Sequence, residues 1–419
     1  MSEIGYSKER FNILSLDGGG TWALIQVRAL QEIYGQQATG WEVLNHFDQV
    51  VACSGGSLVA AGLLLDLPLQ VIAALFLQQD SRSKIFSRLD WRDLSWYNPL
   101  RPFVGGPRYA ARRKYSGLEA VLGGIAGNAA LGDRPACNLG LPELVELYQK
   151  HGNRQRNAKM AVAVVAYDFE RNRAHYFRSN LHSRTGSLHR GQTYQPKLFE
   201  ITHASSNAPV KYFNAPATLA NGETYWDGGV TGQNNPVEAG VVEALANDAS
   251  RESIHVLSIG TGTCRTPYAP PFKKPYPQYL VKAISKLALS ILGDPPDIAS
   301  FKAHMQISTD LPKPGDPLPL MSTRIFRLNP SVHPKNHDGT WYWPAGLEDD
   351  CKRLLALDMD ALKQADVDLI DRLAQDWLKG KYANQGVREN QSFGCEIGFE
   401  TAQAAITAWQ RPPAARLAA

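Results

Sequence analysis

Short unbroken apolar runs alternate along the chain with apolar residues at helical spacing, and glycine-rich turns separate the two rhythms. Phe11 to Leu16 (FNILSL) is one such run; it closes on Asp17 and a run of glycines, and helical periodicity follows from Ala23 to Tyr34. Phe47 to Ala52 repeats the unit, turning at Cys53-Ser54-Gly55-Gly56 into a helix over Ser57 to Leu65. Strand, tight loop and helix in succession predict parallel strands joined by crossover helices, an α/β fold.

The stretch from Leu58 to Leu77 is apolar enough to suggest a membrane span, but Asp66, Pro68 and Gln70 interrupt it. Pro68 would break a helix near Leu67, so two buried helices joined by a turn are expected. From about 69 to 158 the rhythm gives way to helical segments, aromatics and the Gly/Pro-rich patch Arg101 to Arg108, which reads as a helical cap or insertion. Strands return at Lys159 to Tyr167 and Ala174 to Arg178. A helix over Thr202 to Asn207, a short strand ending at Trp226, the loop Asp227 to Asn235, a helix over Pro236 to Asn247 and a strand over Ile254 to Ile259 complete a catalytic core expected at residues 10–264. Residues 265–419 read as a C-terminal, mostly helical extension packed on that core, with a strand at Arg324 to Leu328. Within it, Tyr279 to Leu292 carries an apolar stripe (Leu280, Ile284, Leu287, Ile291) that suits core packing, with an interfacial membrane helix as the other use of such a stripe.

Composition narrows the function classes. The 419 residues can bury a large core without disulfides, and the five cysteines are scattered with no CxxC pair, which argues against a zinc site and for reduced thiols. A net charge of +4 is far from the basic stripe of a nucleic-acid binder, so no nucleic-acid polymer is expected as partner, though the bias favours approach to an anionic membrane surface. The N-terminal residues MSEIGYSKER carry charges of both signs and no apolar signal region, which points to the cytoplasm.

Three elements carry candidate chemistry. Ala52-Cys53-Ser54-Gly55-Gly56 has the small-x-Ser-x-Gly spacing of a nucleophile elbow, in which a strained strand-to-helix turn presents a serine hydroxyl and the helix N-terminus favours negative charge beside it. Asp17-Gly18-Gly19-Gly20 opens a helix with unhindered N–H donors that could hold a phosphate or an oxyanion; no Gly-Lys-Ser/Thr follows, so it is not a Walker loop. Asp227-Gly228-Gly229 sets a carboxylate at a strand end, where it could accept a proton or close an Asx turn.

In that order and setting, the three elements resemble the patatin-like phospholipase family. Ala204-Ser205-Ser206-Asn207-Ala208-Pro209, Asn234-Asn235-Pro236 and Leu257-Ser258-Ile259-Gly260-Thr261-Gly262 extend the likeness across Phe11 to Gly262, and Arg324 to Pro330 joins more loosely. Two departures stand out: Ala52 where glycine is usual, and Trp22 where an Arg or Lys commonly follows the glycines, so that any anchoring cation is missing or comes from elsewhere. The resemblance implies a three-layer fold with a central, mostly parallel sheet flanked by helices. It implies a Ser54–Asp227 dyad without a histidine, with Gly18, Gly19 and Gly20 amides as the oxyanion hole and Ala52, Gly55, Gly56, Gly228 and Gly229 in support. No cofactor and no metal are implied. The implied substrate is a membrane phospholipid, cleaved to fatty acid and lysophospholipid by peripheral contact with the inner face of the membrane. Some bacterial relatives are switched on by cyclic nucleotides during phage defence, so a cyclic nucleotide activator is carried as an expectation, and a homo-oligomer is left open.

Other readings differ in what they leave unexplained. His255, His304, His333 and His337 follow Asp227, as in a Ser-Asp-His triad, but none sits in a motif, and His203 reads as structural. His333 and His337 with Asp338 lie beside Pro334 and Gly339, in a loop rather than a metal cluster. A sugar kinase of the actin-like fold would account for Asp17 to Thr21 and Gly260 to Gly262 as phosphate loops. It needs a hairpin where Trp22 to Tyr34 is helical, and it leaves Ser54 and Asp227 unused. A non-catalytic lipid-binding protein would not need either residue. The aromatics Trp91, Trp96, Tyr97 and Phe103, with the Leu58 to Leu77 helices, are candidates to line an acyl channel.

Overall fold

A computed structural model describes residues 10–89, 107–125, 128–132, 135–152, 160–180, 194–209, 212–264, 297–332, 343–390 and 394–411. Its centre is an eight-stranded sheet of β1 (Phe11–Leu16), β2 (Gln49–Cys53), β3 (Ala161–Asp168), β4 (Arg173–Arg178), β5 (Ala217–Thr218), β6 (Thr224–Asp227), β7 (Ile254–Ile259) and β8 (Ile325–Leu328). The order is β5-β6-β3-β2-β1-β7-β8, with β4 on the other edge of β3. Strands β3, β2, β1, β7 and β8 run parallel, and β4, β5 and β6 supply the antiparallel pairs. The sheet is mixed α/β and mostly parallel, as expected.

Residue alternation along these strands separates two cores. Leu14, Leu16, Val50, Ala52, Val162, Val164, Leu257 and Phe326 face one apolar cluster, whereas Ile13, Val51, Ala163, Val256 and Ile325 face the other. Strands buried on both sides must be apolar throughout, which is why FNILSL and QVVAC read as continuous runs. The first cluster holds α1 (Leu24–Tyr34), α2 (Gly40–Leu44), α3 (Gly55–Leu64), α4 (Leu69–Leu77), α5 (Gln79–Ile85), α6 (Ala111–Gly123), α7 (Leu141–His151) and α8 (Leu198–Ser205). The second is closed by α9 (Val237–Ala246) and the helical residues 297–307. Pro68 caps α4 rather than lying inside a span, and no described helix is long and apolar enough to cross a membrane.

Two differences from the sequence reading bear on the site, one local in cause and one set by long-range packing. The helix expected over Thr202 to Asn207 begins at Leu198, because the Glu200 carboxylate accepts the Lys197 N–H at 2.9 Å and so nucleates a turn that the alternating Phe199 and Ile201 conceal. The chain beyond residue 264 does more than pack outside the sheet: β8 completes it beside β7, and α11 (Gln364–Leu378), which follows α10 (Glu348–Leu355), lies on α1 with Arg28 paired to Asp371 at 2.6 Å. Tyr279 to Leu292, Trp91, Trp96, Tyr97, Phe103, His333, His337 and Asp338 lie outside the described residues.

From β8, Arg327 reaches across the buried strand ends to Asp17, Nη1 to Oδ1 at 2.9 Å and Nη2 to Oδ2 at 2.5 Å, and Nη1 also meets Ser258 Oγ at 2.8 Å. Both side chains are nearly inaccessible, at 3% and 4% exposure. Arg327→Met is therefore expected to cost about 3–5 kcal/mol of unfolding free energy in urea, since it strands a buried carboxylate. The double change Asp17→Asn with Arg327→Met should cost clearly less, and an equal cost would show that the pair does not act as a unit.

Candidate active site

The placement of the two candidate catalytic residues follows from how β3 uses its edges. Strand β4 occupies one edge from Ala163 to Asp168. The other edge is shared: β2 runs parallel along it up to the Cys53–Val165 pair, and β6 comes in antiparallel from the next position, with Asp227 opposite Ala166. The end of β2 therefore meets the end of β6. Ser54, the residue after β2, is brought to Asp227, the last of β6, and Ser54 Oγ donates to Asp227 Oδ2 at 2.6 Å.

The turn after β2 is strained. Ser54 has φ 48° and ψ −120°, a conformation that costs a non-glycine residue on the order of 1–3 kcal/mol. It is held by neighbours: Ser54 N–H donates to Ser205 Oγ at 2.9 Å, the Ser205 hydroxyl donates to Val165 O at 2.6 Å, and Ser57 Oγ donates to Ser54 O at 2.6 Å. The glycines after it are required by close approach, since a Cβ on Gly55 would lie 2.6 Å from Gly20 O and one on Gly56 2.5 Å from Leu16 O. Helix α3 thus starts directly against the glycine loop.

Asp227 is fixed on three sides. Its N–H donates to Asn207 O at 3.1 Å, its Oδ1 accepts Gly229 N–H at 2.8 Å, and Ser54 takes Oδ2. Ser54 and Asp227 are 7% and 6% exposed. Burial pushes the Asp227 carboxyl above its ordinary range, against the pull of the Ser54 and Gly229 hydrogen bonds and the positive charge of Lys114. A carboxylate with raised proton affinity is better matched to taking a serine proton.

The glycine loop contributes less evenly than its three amides suggest. Gly18 N–H is already donated to Asn234 O at 2.8 Å and Gly18 O accepts from Thr261 Oγ1 at 2.7 Å, so that amide is not available to an oxyanion. Gly20 and Gly55, by contrast, line the cavity that holds Ser54 and Asp227. The loop is fixed through Asp17 by Arg327, which reaches it from the far end of the sheet.

Residues that the sequence reading did not single out complete the cavity. Lys114 on α6, Phe86, Tyr212, Phe213, Met359 and Asp360 share it with the dyad. The cavity opens toward solvent beside the Ser54–Asp227 hydrogen bond. The loop between α10 and α11 lies on the glycine loop, with Met359 O accepting Thr21 N–H at 3.0 Å and Asp358 O accepting Trp22 Nε1–H at 3.2 Å. A more apolar cavity, lined by Leu58, Leu75, Phe76, Val121 and Leu122 among others, shares Gly20, Leu58, Ile85 and Phe86 with the first.

Among the described residues, the histidines considered lie away from the Ser54–Asp227 pair. His203 is buried against the Tyr115 ring at 5.7 Å, His304 Nε2 meets Asp310 O at 2.8 Å, and His255 Nδ1 meets Ser253 O at 2.8 Å. Among the described residues, no group of three or more His, Cys, Asp or Glu is arranged to hold a metal, and all five cysteines are free.

A family model for patatin-like phospholipases matches residues 14–241. A cGAMP-activated phospholipase of Pseudomonas aeruginosa is 26% identical over 255 residues, 60% of this chain and 63% of that protein. The match thus takes in less than two thirds of that relative's length. Among solved structures, VipD from Legionella pneumophila aligns over 90% of this chain and 69% of its own at 13% identity and a TM-score of 0.33. Full-length ExoU with SpcU from Pseudomonas aeruginosa aligns over 72% and 53% at 14% identity and a TM-score of 0.30.

Ser205 is the support on which the elbow rests. Ser205→Ala removes the acceptor for the Ser54 amide and the donor for Val165 O, and is expected to cost about 1–3 kcal/mol in urea denaturation. The same change should lower turnover with any ester substrate by roughly tenfold to a hundredfold as the elbow relaxes. Unaltered stability and turnover would show that the elbow is held without it.

Proposed function

Because the chain belongs to the patatin-like phospholipase family, we propose that it is a lipid acyl hydrolase working through the Ser54–Asp227 pair. The observation that carries this reading is the 2.6 Å hydrogen bond from Ser54 Oγ to Asp227 Oδ2, made in a cavity at the N-terminus of α3. In the first half-reaction the Ser54 proton passes to Asp227 as Oγ bonds to the ester carbonyl carbon, and the carbonyl oxygen becomes an oxyanion. Amides of Gly20 and Gly55, at the cavity wall, are the donors best placed for it, with Gly19 beside them. The tetrahedral centre then breaks its bond to the alcohol oxygen, which takes the proton back from Asp227 and leaves as lysolipid. Water repeats the sequence on the acyl-enzyme, giving its proton to Asp227, and the fatty acid leaves from Ser54.

Nucleophile, base and oxyanion donors all come from the chain itself, so the proposed reaction needs no metal. The apolar side chains of Leu58, Leu75, Phe76, Val121 and Leu122, next to the dyad's cavity, favour a fatty acyl group over a short soluble ester. An activator belongs to the same proposal because the relative from Pseudomonas aeruginosa is named for activation by cGAMP.

Purified protein incubated in EDTA with mixed phospholipid vesicles, with and without cGAMP, is expected to release fatty acid and lysophospholipid measurable by mass spectrometry. Ser54→Ala and Asp227→Asn should each reduce release by at least about a thousandfold. Release that persists in either variant would rule out the dyad, and release that EDTA abolishes would rule out a metal-free reaction.

A further inference from the structure

Lys114 is 1% exposed on α6, with its ammonium in the cavity that holds Ser54 and Asp227. A buried lysine carries a heavy desolvation cost unless something repays it. Two neutral partners contribute: Nζ donates to Ser206 O, and it lies 4.4 Å from the centre of the Phe213 ring. Neither is a counter-charge. Of the residues that line the cavity, Lys114 is the cation and Asp227 and Asp360 are the carboxylates, and the charges of Lys114 and Asp227 act on each other.

The other titratable groups around this pair are neutral or committed. Burial and the Lys114 charge hold His203 of α8 uncharged, and burial with the charges of Asp227 and Asp17 holds Cys53 of β2 as a thiol. From the loop between α10 and α11, Asp360 accepts the Tyr109 hydroxyl and lies 3.5 Å from Arg108, while Asp358 pairs with Arg108 at 2.7 Å. Glu200 of α8 accepts from Tyr194 at 2.6 Å and Tyr115 at 3.2 Å, and burial keeps the Tyr212 phenol protonated. On α5, Arg82 donates to the carbonyls of Phe76 and Leu77, and Lys84 pairs outward with Asp80.

We propose that Lys114 is a positioning residue for catalysis: its buried ammonium is the counter-charge that keeps Asp227 an ionised proton acceptor in a cavity that would otherwise favour the neutral acid. This rests on Ser54 and Asp227 being the working dyad. A protonated Asp227 would donate to Ser54 instead of accepting from it, and the serine would lose its base. Burial pulls Lys114 itself down to about 7.

The test reads Ser54 without a lipid. A small neutral fluorophosphonate reacts as Ser54 Oγ displaces fluoride from phosphorus and the serine proton passes to Asp227, and the labelling rate is followed against pH. Removing the positive charge leaves burial of Asp227 less opposed and raises its proton affinity, so the acid limb in Lys114→Met should move to higher pH by about one unit or more. Labelling at a pH on that limb then slows about tenfold. Lys114→Arg keeps the charge and should keep the wild-type acid limb, even at a lower maximum rate. A folded Lys114→Met protein with the wild-type acid limb would overturn the proposal.

If Lys114→Met does not fold, the paired change with Asp227→Asn decides. Removing both charges leaves none uncompensated, so the double variant should be more stable than either single one, and a double variant no more stable than both would overturn the pairing. Wild type that is labelled but inert on phospholipid would contradict the substrate reading and leave this role standing. Wild type that is never labelled, with or without cGAMP, would contradict the dyad, and this role with it.

Discussion

Serine and aspartate can share a 2.6 Å hydrogen bond here because two strands meet end to end on one edge of β3. With β4 filling the opposite edge, β6 can pair with β3 only beyond the point where β2 turns away. Antiparallel entry of β6 points its C-terminal end, Asp227, at the C-terminal end of β2, where Ser54 begins the turn into α3. Residues 173 positions apart in sequence are thus set by strand register, which is stiffer than any loop could be. The strain at Ser54 is tolerable for the same reason: Ser205, itself bonded to Val165 of β3, holds the turn from the strand that aligns both partners.

Charge is the second constraint, and the molecule handles it in two buried pairs of different quality. Arg327 and Asp17 make a bidentate bridge with every geometric advantage, and its effect is to fix the glycine loop from the far end of the sheet. Lys114 and Asp227 have no such bridge. Asp227 keeps both oxygens for Ser54 and Gly229, and the ammonium is satisfied by a carbonyl and an aromatic face. A base bound tightly to a cation would lose proton affinity, whereas a base with no cation nearby would protonate at so buried a position. The looser arrangement lies between these extremes.

Much of this was legible in the sequence where local chemistry dictates structure. Strands β1 and β7 have the boundaries expected of them, because Asp-Gly and Gly-Thr-Gly punctuate strongly after continuous apolar runs. The elbow, the Asp-Gly-Gly element and the likeness to patatin-like phospholipases were readable for the same reason. What depends on long-range packing was not. In Ala111-Arg112-Arg113-Lys114 the basic run looks like a solvated face, and only the packing of α6 turns Arg112 to solvent and Lys114 into the core. Nothing local to Gly18 shows that Asn234 claims its amide, and nothing near Met359 shows that its carbonyl lies on the glycine loop. Arg327 sat in a stretch of weak likeness, and its role follows from β8 joining the sheet beside β7.

The central claim, that Ser54 becomes acylated because Asp227 takes its proton, is tested most directly by trapping the intermediate. Wild-type enzyme mixed with an activated fatty-acyl ester, quenched in acid during the first turnovers and digested for mass spectrometry, should carry the acyl mass on the peptide containing Ser54. Hydrolysis of that ester with the acyl group found on another residue, or turnover by Ser54→Ala at the wild-type rate, would contradict the account.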